Sequence, residues 1–410
     1  MTTGEDCLPA EARAGAVTAP VGPLRLESIS TAIAAFLPLA FLAIGALRAY
    51  PFADDVSIPT STPDDWHTYK QLALSVVRDG LSMPALGTSY AGLPHGFLYV
   101  YFVASVFAVL GVNSTYVYVV QSVALGLSIS LTYLAVRKRV TPVGGLTFLL
   151  TLTALMYVDV FRHLTFRLLS ENLYFVLSPF LIIVLFRSIE QTDGRRRDLF
   201  LAGVMLGLVV LTRPSFILSA TMVIAAVWIH FLAKERSSRA PALLLLGSAV
   251  GVSGVAARNY AVTGRATFDI VTNTSDWLRL WNLPAGQFLT ALIKRSSFIF
   301  GLTEPIAPAY RLRPHWMILW LLWAWYPVFM LSKRRRLEFW ELLLYIYVTC
   351  YIGPVLLVAA DLTSYGGRMV IAILPVVLVP AFRLLFADRS PDSSGLSSAA
   401  GRVQSTHVRH

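Results

Sequence analysis

Charged residues are scarce in this sequence. Only 14% of its 410 residues are charged and 56% are hydrophobic, with a mean hydropathy of +0.64, whereas about a quarter of the residues of soluble domains are charged. Cysteine is scarcer still: Cys7 lies in a polar segment and Cys350 in an apolar one. These absences exclude a soluble globular domain, a structural disulfide framework and a cysteine-based zinc site.

Long apolar runs are present instead, and several approach the roughly 20 residues that cross a bilayer. The eleven runs are Thr31–Leu47, Gly96–Val112, Tyr116–Val136, Thr141–Val160, Leu173–Phe186, Leu199–Leu211, Ser215–Leu232, Pro241–Ala256, Trp316–Leu331, Phe339–Ala360 and Met369–Phe382. They predict an all-α, polytopic transmembrane helical bundle of about 10 to 11 spans. Residues 1–28 and 387–410 are predicted to be disordered cytoplasmic tails around a membrane module at 29–386. No cleaved signal pattern precedes the first run.

The net charge of +11 is carried by short basic clusters between apolar runs. The clusters are Arg137 to Arg139, Arg195 to Arg197, Lys234 with Arg236 and Arg239, and Lys333 to Arg336. This is the positive-inside pattern of membrane proteins, and the separation of the clusters argues against nucleic-acid binding. Two longer polar segments, 48–94 and 258–315, are then predicted to be outer loops.

The number of crossings before Arg258 is a problem for this topology. Eight runs precede Arg258, but an odd number of crossings is needed if both long loops lie on the outer side. One run must therefore be short, re-entrant or interfacial. The candidates are Leu173–Phe186 and the stretch Leu199–Leu232, and the sequence does not decide between them.

The first outer loop contains a predicted amphipathic helix. Thr62 is a suitable N-cap, apolar side chains at Trp66, Tyr69, Leu72, Ala73 and Val76 share one helical face, and Gly80 ends the segment. We expect this helix to lie on the outer membrane surface. Asp64 and Asp65 at its start have two interpretations: they stabilise the free N–H groups of the first turn, or one of them is a general base or metal ligand.

Five short motifs in order resemble the bacterial membrane glycosyltransferases related to dolichyl-phosphate-mannose protein mannosyltransferases, which have the C-type fold. They are Asp65-x-x-x-Tyr69-x-x-x-Ala73, Pro94-His95-Gly96-Phe97-Leu98-Tyr99, Leu206 to Pro214 ending in Leu-Thr-Arg-Pro, Ala257-Arg258-Asn259-Tyr260, and Gly367-Arg368 ahead of Pro375. The sequence departs from the family pattern at Trp66, where Glu is common, and at Met369, where Tyr is common.

The resemblance implies transfer of a sugar from a polyprenyl-phosphate donor to a lipid, glycan or protein acceptor. It implies that Asp65, with Asp64 second, serves as base or metal-linked carboxylate, with Tyr69 and Asn259 beside the substrate. A divalent metal ion is the one cofactor considered, with His95 as a further ligand. Arg213, Arg258 and Arg368 would bind the lipid phosphate, although ordinary snorkelling explains span-end arginines equally well.

The expected location is the inner (cytoplasmic) membrane, with the active face periplasmic or extracellular. Two other functions remain open at this stage. One is a transporter or flippase, for which repeated halves and charges at mid-membrane would be typical. The other is a non-catalytic assembly subunit.

Overall fold

The computed structural model describes residues 23–49, 65–80, 97–157, 171–190, 195–212, 216–235, 238–263, 284–290, 293, 303–306, 309–312, 314–332, 337–358 and 373–386. Within these residues we label twelve helices. They are α1 (Pro23–Ala49), α2 (Asp65–Asp79), α3 (Phe97–Leu110), α4 (Ser114–Val136), α5 (Pro142–Leu155), α6 (Glu171–Glu190), α7 (Arg195–Thr212), α8 (Ile217–Glu235), α9 (Arg239–Thr263), α10 (Pro314–Ser332), α11 (Phe339–Val358) and α12 (Leu374–Phe386).

The all-α prediction is confirmed. Each of the eleven apolar runs coincides with a helix, α1 and α3 to α12, and the predicted amphipathic helix is α2. The helix α1 begins at Pro23, before the predicted module boundary at residue 29. One short antiparallel hairpin, β1 (Thr303–Ile306) and β2 (Ala309–Leu312), was not predicted, because its strands contain no apolar alternation.

The chain is a multi-pass membrane protein. Among the described residues, four helical segments are long and apolar enough to cross a membrane: Arg25–Ala49, Ser114–Arg139, Asn172–Glu190 and Ile217–Lys234. Six shorter apolar helical segments accompany them. The exposed side chains of these helices are themselves largely apolar, such as Phe36 and Leu47 of α1, as expected for surfaces that face lipid.

The helices α1 and α4 run antiparallel in close contact. The hydroxyl groups of Ser30 and Tyr133 are 2.5 Å apart near the start of α1, and the Ser130 hydroxyl donates to the Ala34 carbonyl at 2.5 Å. Toward the end of α1, Gly45 meets Ser122 of α4. Because the partner numbers fall along α4 as they rise along α1, the two helices cross the bundle in opposite directions.

Several helix ends with basic residues meet at one end of the bundle, which we call the basic end. The contacts there are Arg137 with Thr31 (3.3 Å), Arg139 with Glu190, Arg187 with Asp198 (3.4 Å), Arg195 over the Phe231 ring (5.5 Å) and Arg383 with Glu341 (2.9 Å). The starts of α1, α7 and α11 and the ends of α4, α6, α8 and α12 therefore lie at the basic end. This gathering agrees with the predicted positive-inside pattern.

The last helix is held at the basic end by Arg383. This guanidinium contacts both Glu338 and the fully buried Glu341, and Tyr326 of α10 donates to the same Glu341 carboxylate. Partial burial raises the pKa of Glu338, but hydrogen bonds from Arg383 and Trp340 and the charges of Arg383 and Arg139 together outweigh burial, so the pKa lies below its ordinary value. The ends of α10, α11 and α12 are thereby joined.

The opposite end of the bundle, which we call the acidic-helix end, carries α2. A buried apolar cluster there, which we call the α2 cluster, includes Ala49 from the end of α1, Tyr69 of α2, Tyr99 of α3, Val117 of α4 and Leu211 of α7. The chain is thus at the same end of the bundle at Ala49 and again at Val117. Since α3 is the one apolar run between these two points, α3 does not carry the chain across.

This placement of α3 changes the expected topology. A turn with a positive φ of 98° at Gly111 and a side-chain N-cap at Asn113 connects α3 to α4. Without α3, seven runs cross before Arg258. This odd number allows the segments 48–94 and 258–315 to lie on the same side of the membrane. The two predicted candidates, Leu173–Phe186 and Leu199–Leu232, are helices α6 to α8 and connect the two ends. Periodicity could not reveal this, because α3 is as apolar as the crossing helices.

Candidate active site at the acidic-helix end

The helix α2 lies against the rest of the bundle through the face that the sequence predicted. Tyr69, Leu72 and Ala73 are buried, and Val76 is partly buried against the same cluster. The helix begins at Asp65 and ends at Asp79, and Gly80 follows with φ of 71°. The predicted amphipathic helix and its stop are therefore confirmed.

The side chain of Tyr69 fixes α2 on α3. Its ring meets the Tyr99 ring edge-on, with centroids 4.9 Å apart at 82°, a favourable geometry for aromatic pairs. The amide of Gln121 on α4 donates to the Tyr99 hydroxyl, while the other amide atom, Oε1, is buried and has no hydrogen-bond partner among the described residues. Because Asp65 is one helical turn before Tyr69, this contact also fixes the backbone of the acidic turn.

The end of α7 packs against the α2 cluster. Leu211 belongs to this cluster and Leu208 packs against it, and α7 ends at Thr212, whose hydroxyl donates to the Leu208 carbonyl at 2.8 Å. From Asp198, at the basic end, to Thr212 the helix rises about 21 Å. The helix α7 therefore connects the basic end to the α2 cluster.

The helix α9 lies beside α7 in the same direction. A Cβ on Gly203 would lie 2.1 Å from the Leu244 carbonyl oxygen, and one on Gly251 would lie 2.9 Å from the Val204 carbonyl oxygen. The helices touch through their backbones, as in small-residue membrane packing. Because Gly207 meets Gly251, the same register brings Thr212 level with Ala256, two residues before Arg258.

The structure describes some of the predicted site residues completely, some by their backbone alone, and the others not at all. Tyr69 is fully described. Asp65, Arg258 and Asn259 have a described helical backbone, and their side chains lie outside the described part. The remaining candidates, Asp64, His95, Arg213 and Arg368, lie outside the described residues. The helices that carry or adjoin Asp65, Arg213 and Arg258 nevertheless reach the same end of the bundle.

A metal site is not formed by the residues that can be described. In that part of the chain, no group of three His, Cys, Asp or Glu side chains is placed to hold a metal ion. The metal ligands considered from the sequence, the side chains of Asp64, Asp65 and His95, are outside it. Metal use therefore stays a prediction.

An aromatic stack around Phe216, three residues after Arg213 in the sequence, was missed by the sequence reasoning. The Phe216 ring lies parallel to Tyr174 of α6, with centroids 4.4 Å apart, and to Tyr351 of α11 at 4.0 Å. The hydroxyl groups of Tyr174 and Tyr347 are 2.6 Å apart beside it. The four residues come from distant parts of the sequence, and the one local signal was an aromatic residue directly after the Arg-Pro-Ser break.

Comparison with known proteins supports the family resemblance. Residues 94–258 match the sequence profile of the family described as Dolichyl-phosphate-mannose-protein mannosyltransferase. The resemblance to this family is confirmed. It supports a membrane glycosyltransferase of the C-type class. The matched segment runs from the start of α3 to Arg258 on α9, so α2 with Asp65 lies outside it.

Two further comparisons add little. No curated protein sequence matches the chain. The apo crystal structure of the Archaeoglobus fulgidus oligosaccharyltransferase is similar, with 13% sequence identity and a TM-score of 0.40, over 91% of this chain and 58% of that one. The chain thus spans little more than half the length of that protein, and a likeness of this size carries no conclusion about activity.

Proposed function

We propose that the protein transfers a sugar from a polyprenyl-phosphate donor to a hydroxyl group of a lipid, glycan or protein acceptor. The reaction takes place at the acidic-helix end, which faces the periplasm or the cell exterior in a cytoplasmic membrane. The observation that carries this proposal is the α2 cluster, because it joins the helix that begins at Asp65 to the end of α7, directly before Arg213.

The chemistry needs three components in one place. A base must take the proton of the acceptor hydroxyl, positive charge must stabilise the departing phosphate, and an apolar surface must hold the prenyl chain. Asp65 supplies the base, directly or through a divalent cation. Arg213 and Arg258 supply the charge, since the α7 and α9 register brings their positions in the chain to the same level, and Arg368 is the third candidate.

The bond changes follow from these roles. The acceptor oxygen attacks the anomeric carbon, its proton passes to the Asp65 carboxylate, and the bond from the anomeric carbon to the phosphate oxygen breaks. The polyprenyl phosphate leaves with the bonding electron pair, and the guanidinium groups bind its new negative charge. Attack opposite the leaving group inverts the anomeric configuration.

The place of Arg213 in the chain favours binding of a lipid phosphate over ordinary snorkelling. Arg213 directly follows Thr212, the fully buried last residue of α7, and Leu211 before it belongs to the α2 cluster. An arginine that follows buried residues of a membrane helix is costly without a partner, and intramembrane arginines commonly mark substrate sites. The phosphate of a membrane-embedded donor is a partner of the required charge.

The test is transfer by purified protein supplied with radiolabelled polyprenyl-phosphate sugars and candidate acceptors. We expect Asp65→Asn to lower kcat by about a hundredfold or more, the usual size of a general-base contribution, with Asp64→Asn less affected. The matched control is Asp79→Asn at the other end of α2, where Asp79 pairs with Arg78 at 2.9 Å. Undiminished transfer by Asp65→Asn and Asp64→Asn would reject the catalytic assignment.

Two added arms extend this experiment. Loss of transfer in EDTA, restored by Mg²⁺ or Mn²⁺, would assign the Asp65 carboxylate to a metal-linked role, and resistance to EDTA would assign it to direct proton transfer. No transfer with any donor, combined with solute uptake into proteoliposomes, would replace the proposed activity by transport.

A further inference from the structure

We infer that α4 holds the proline breaks of α1 and α6 in a fixed geometry through the hydroxyl groups of Ser130 and Ser128, and thereby positions the parts of both helices that reach the α2 cluster. Pro38 lies in the middle of α1 and Pro179 in the middle of α6, and both helices continue through their proline. The two serines are thus positioning residues, whichever sugar and acceptor the protein uses.

A proline inside a helix leaves one carbonyl group without its usual donor. The ring has no N–H, and it crowds the carbonyl of the residue four positions earlier. In α1 that residue is Ala34, and in α6 it is Phe175. Lipid cannot donate a hydrogen bond to these carbonyl groups, so a neighbouring helix, a side chain or a water molecule must do so.

Both donors come from α4. The Ser130 hydroxyl donates to the Ala34 carbonyl at 2.5 Å, and the Ser128 hydroxyl donates to the Phe175 carbonyl. Both serines and both acceptor residues are buried. Because successive residues of a helix are about 100° apart, side chains two positions apart point to nearly opposite sides. The helix α4 therefore lies between α1 and α6 and completes the hydrogen bonding of each.

The backbones of α4 and α1 come close together at the break itself. A Cβ on Gly126 would lie 2.8 Å from the Pro38 Cα and 2.8 Å from the Leu37 carbonyl oxygen. The Ser130 hydroxyl also lies 2.9 Å from the Gly126 carbonyl of its own helix. That carbonyl already accepts the N–H of the next helical turn, so the Ala34 carbonyl is the acceptor that depends on Ser130.

A third proline break has the same arrangement. Pro327 of α10 leaves the Trp323 carbonyl without its helical donor, and the Tyr345 hydroxyl of α11 donates to this carbonyl at 2.6 Å. Prolines of three helices are therefore each paired with a hydroxyl group of a neighbouring helix. The recurrence argues against a chance contact, because serine hydroxyl groups in a helix commonly bond to a carbonyl of their own helix instead.

The two helices reach the candidate site through the parts that lie beyond their breaks. After Pro38, α1 continues to Ala49 in the α2 cluster, and the part of α6 before Pro179 carries Leu173, which packs against the same cluster. A proline removes one of the bonds that hold the direction of a helix. Loss of the serine hydroxyl should therefore let these parts move while the basic end stays in place.

A double-mutant cycle at each break tests the pairing. In the first cycle, Ser128→Ala removes the donor, Pro179→Ala returns an N–H to the helix, and the two changes are then combined. Ser130→Ala and Pro38→Ala form the second cycle. The equilibrium constant of unfolding is measured for every variant in mixed micelles of rising SDS fraction.

The matched control is Ser122→Ala on the same helix. Ser122 is also buried, but its hydroxyl donates to the Tyr118 carbonyl of its own helix at 2.8 Å. The substitution therefore removes a buried hydroxyl of α4 without leaving a carbonyl that lacks a helical donor.

A second measurement follows the direction of α1 beyond its break. Spin labels are placed at Leu47→Cys, near the end of α1, and at Leu134→Cys, on α4 toward the basic end, in a background with both native cysteines replaced. Both side chains are exposed. Because Gly45 is level with Ser122, the two labelled positions are separated along the bundle by about 21 Å, a distance that spin-label spectroscopy measures.

We expect Ser128→Ala and Ser130→Ala each to raise the unfolding constant about three- to tenfold, because each leaves a buried carbonyl without a donor. With Pro179→Ala or Pro38→Ala already present, the same serine change should alter the constant by less than about twofold, since the restored N–H donates instead. Ser122→Ala should stay within about twofold of the wild type. The spin-label distances should spread in Ser130→Ala and narrow again when Pro38→Ala is added.

Each outcome bears on one part of the pairing. An equal cost of Ser128→Ala with and without Pro179→Ala would overturn the pairing in α6, and the same result in the second cycle would overturn it in α1. A cost for Ser122→Ala as large as that for Ser128→Ala would overturn both. Unchanged spin-label distances in Ser130→Ala would overturn the positioning of the α1 end. None of these measurements involves sugar transfer, so their failure leaves the proposed function standing.

Discussion

Replacing Gly247 by alanine is expected to force α7 and α9 apart. The new Cβ would lie 2.1 Å from the Phe200 carbonyl oxygen, where an ordinary contact needs at least 3.4 Å. The Cβ is fixed to the α9 backbone and the oxygen belongs to the α7 backbone, so neither atom can rotate away. The helices must therefore separate by roughly 1.3 Å to relieve the contact. Overpacking of this kind costs about 1–3 kcal/mol.

The matched control is Gly254→Ala on the same helix, where a Cβ would meet no atom of the described residues within 4 Å. Alanine is the better helix former by about 1 kcal/mol, so this variant should be as stable as the wild type or more stable. The same propensity gain offsets part of the cost at Gly247, and we expect a net destabilisation of about 1–2 kcal/mol there.

The assay is unfolding in mixed micelles of rising SDS fraction, followed by tryptophan fluorescence. The Gly247→Ala midpoint should fall below that of the wild type, while the Gly254→Ala midpoint should not. Donor KM should rise for Gly247→Ala alone, because the displaced α9, which carries Arg258, lies farther from the end of α7. Equal midpoints for the two alanine variants would refute the close backbone packing of α7 and α9.

Two further predictions concern the ends of the bundle. In a background with both native cysteines replaced, Arg78→Cys and Val112→Cys should react with an impermeant maleimide from the same side, opposite to Lys138→Cys, because α3 lies between the first two and does not cross; labelling of Arg78→Cys and Val112→Cys from opposite sides would contradict this topology. The pKa of Glu338 is lowered below its ordinary 4.5, so its stabilising interaction with Arg383 is complete above about pH 5 and is lost as the pH falls further. Thermal unfolding of Glu338→Gln should lack this acid-dependent component, and an identical pH profile would reject it.

The identity of the helices could be predicted from the sequence because hydrophobic burial in a bilayer is a local requirement. Every apolar run became a helix, and the apolar face of α2 at Tyr69, Leu72 and Ala73 was correct. The pairing of α7 with α9 also left a local trace, since Gly203 with Gly207 and Gly247 with Gly251 form two small-residue motifs of four-residue spacing. That signal was available and was not used.

The topology at α3 could not be predicted in the same way. Its residues are as apolar as those of any crossing helix, and hydropathy carries no information on whether a helix continues through the bilayer. Contacts of Tyr99 with Tyr69 and Gln121 place its start at the acidic-helix end. Only the position of Ala49 and Val117 in one cluster excludes a crossing.

The candidate site, too, could be predicted from the sequence only in part. The sequence alone determined that this is a helical membrane protein, that an acidic amphipathic helix follows Thr62 in the first polar loop, and that its motifs resemble a glycosyltransferase family, because solvent, helix capping and short motifs are local properties. The tertiary structure decided that α2 shares a buried cluster with the end of α7, that α9 reaches the same level, and that the Phe216 ring stacks on Tyr174 and Tyr351. These are contacts between residues far apart in the chain. Which helices pack together is determined by side-chain shape and by close backbone approach, because the helices do not differ in apolarity.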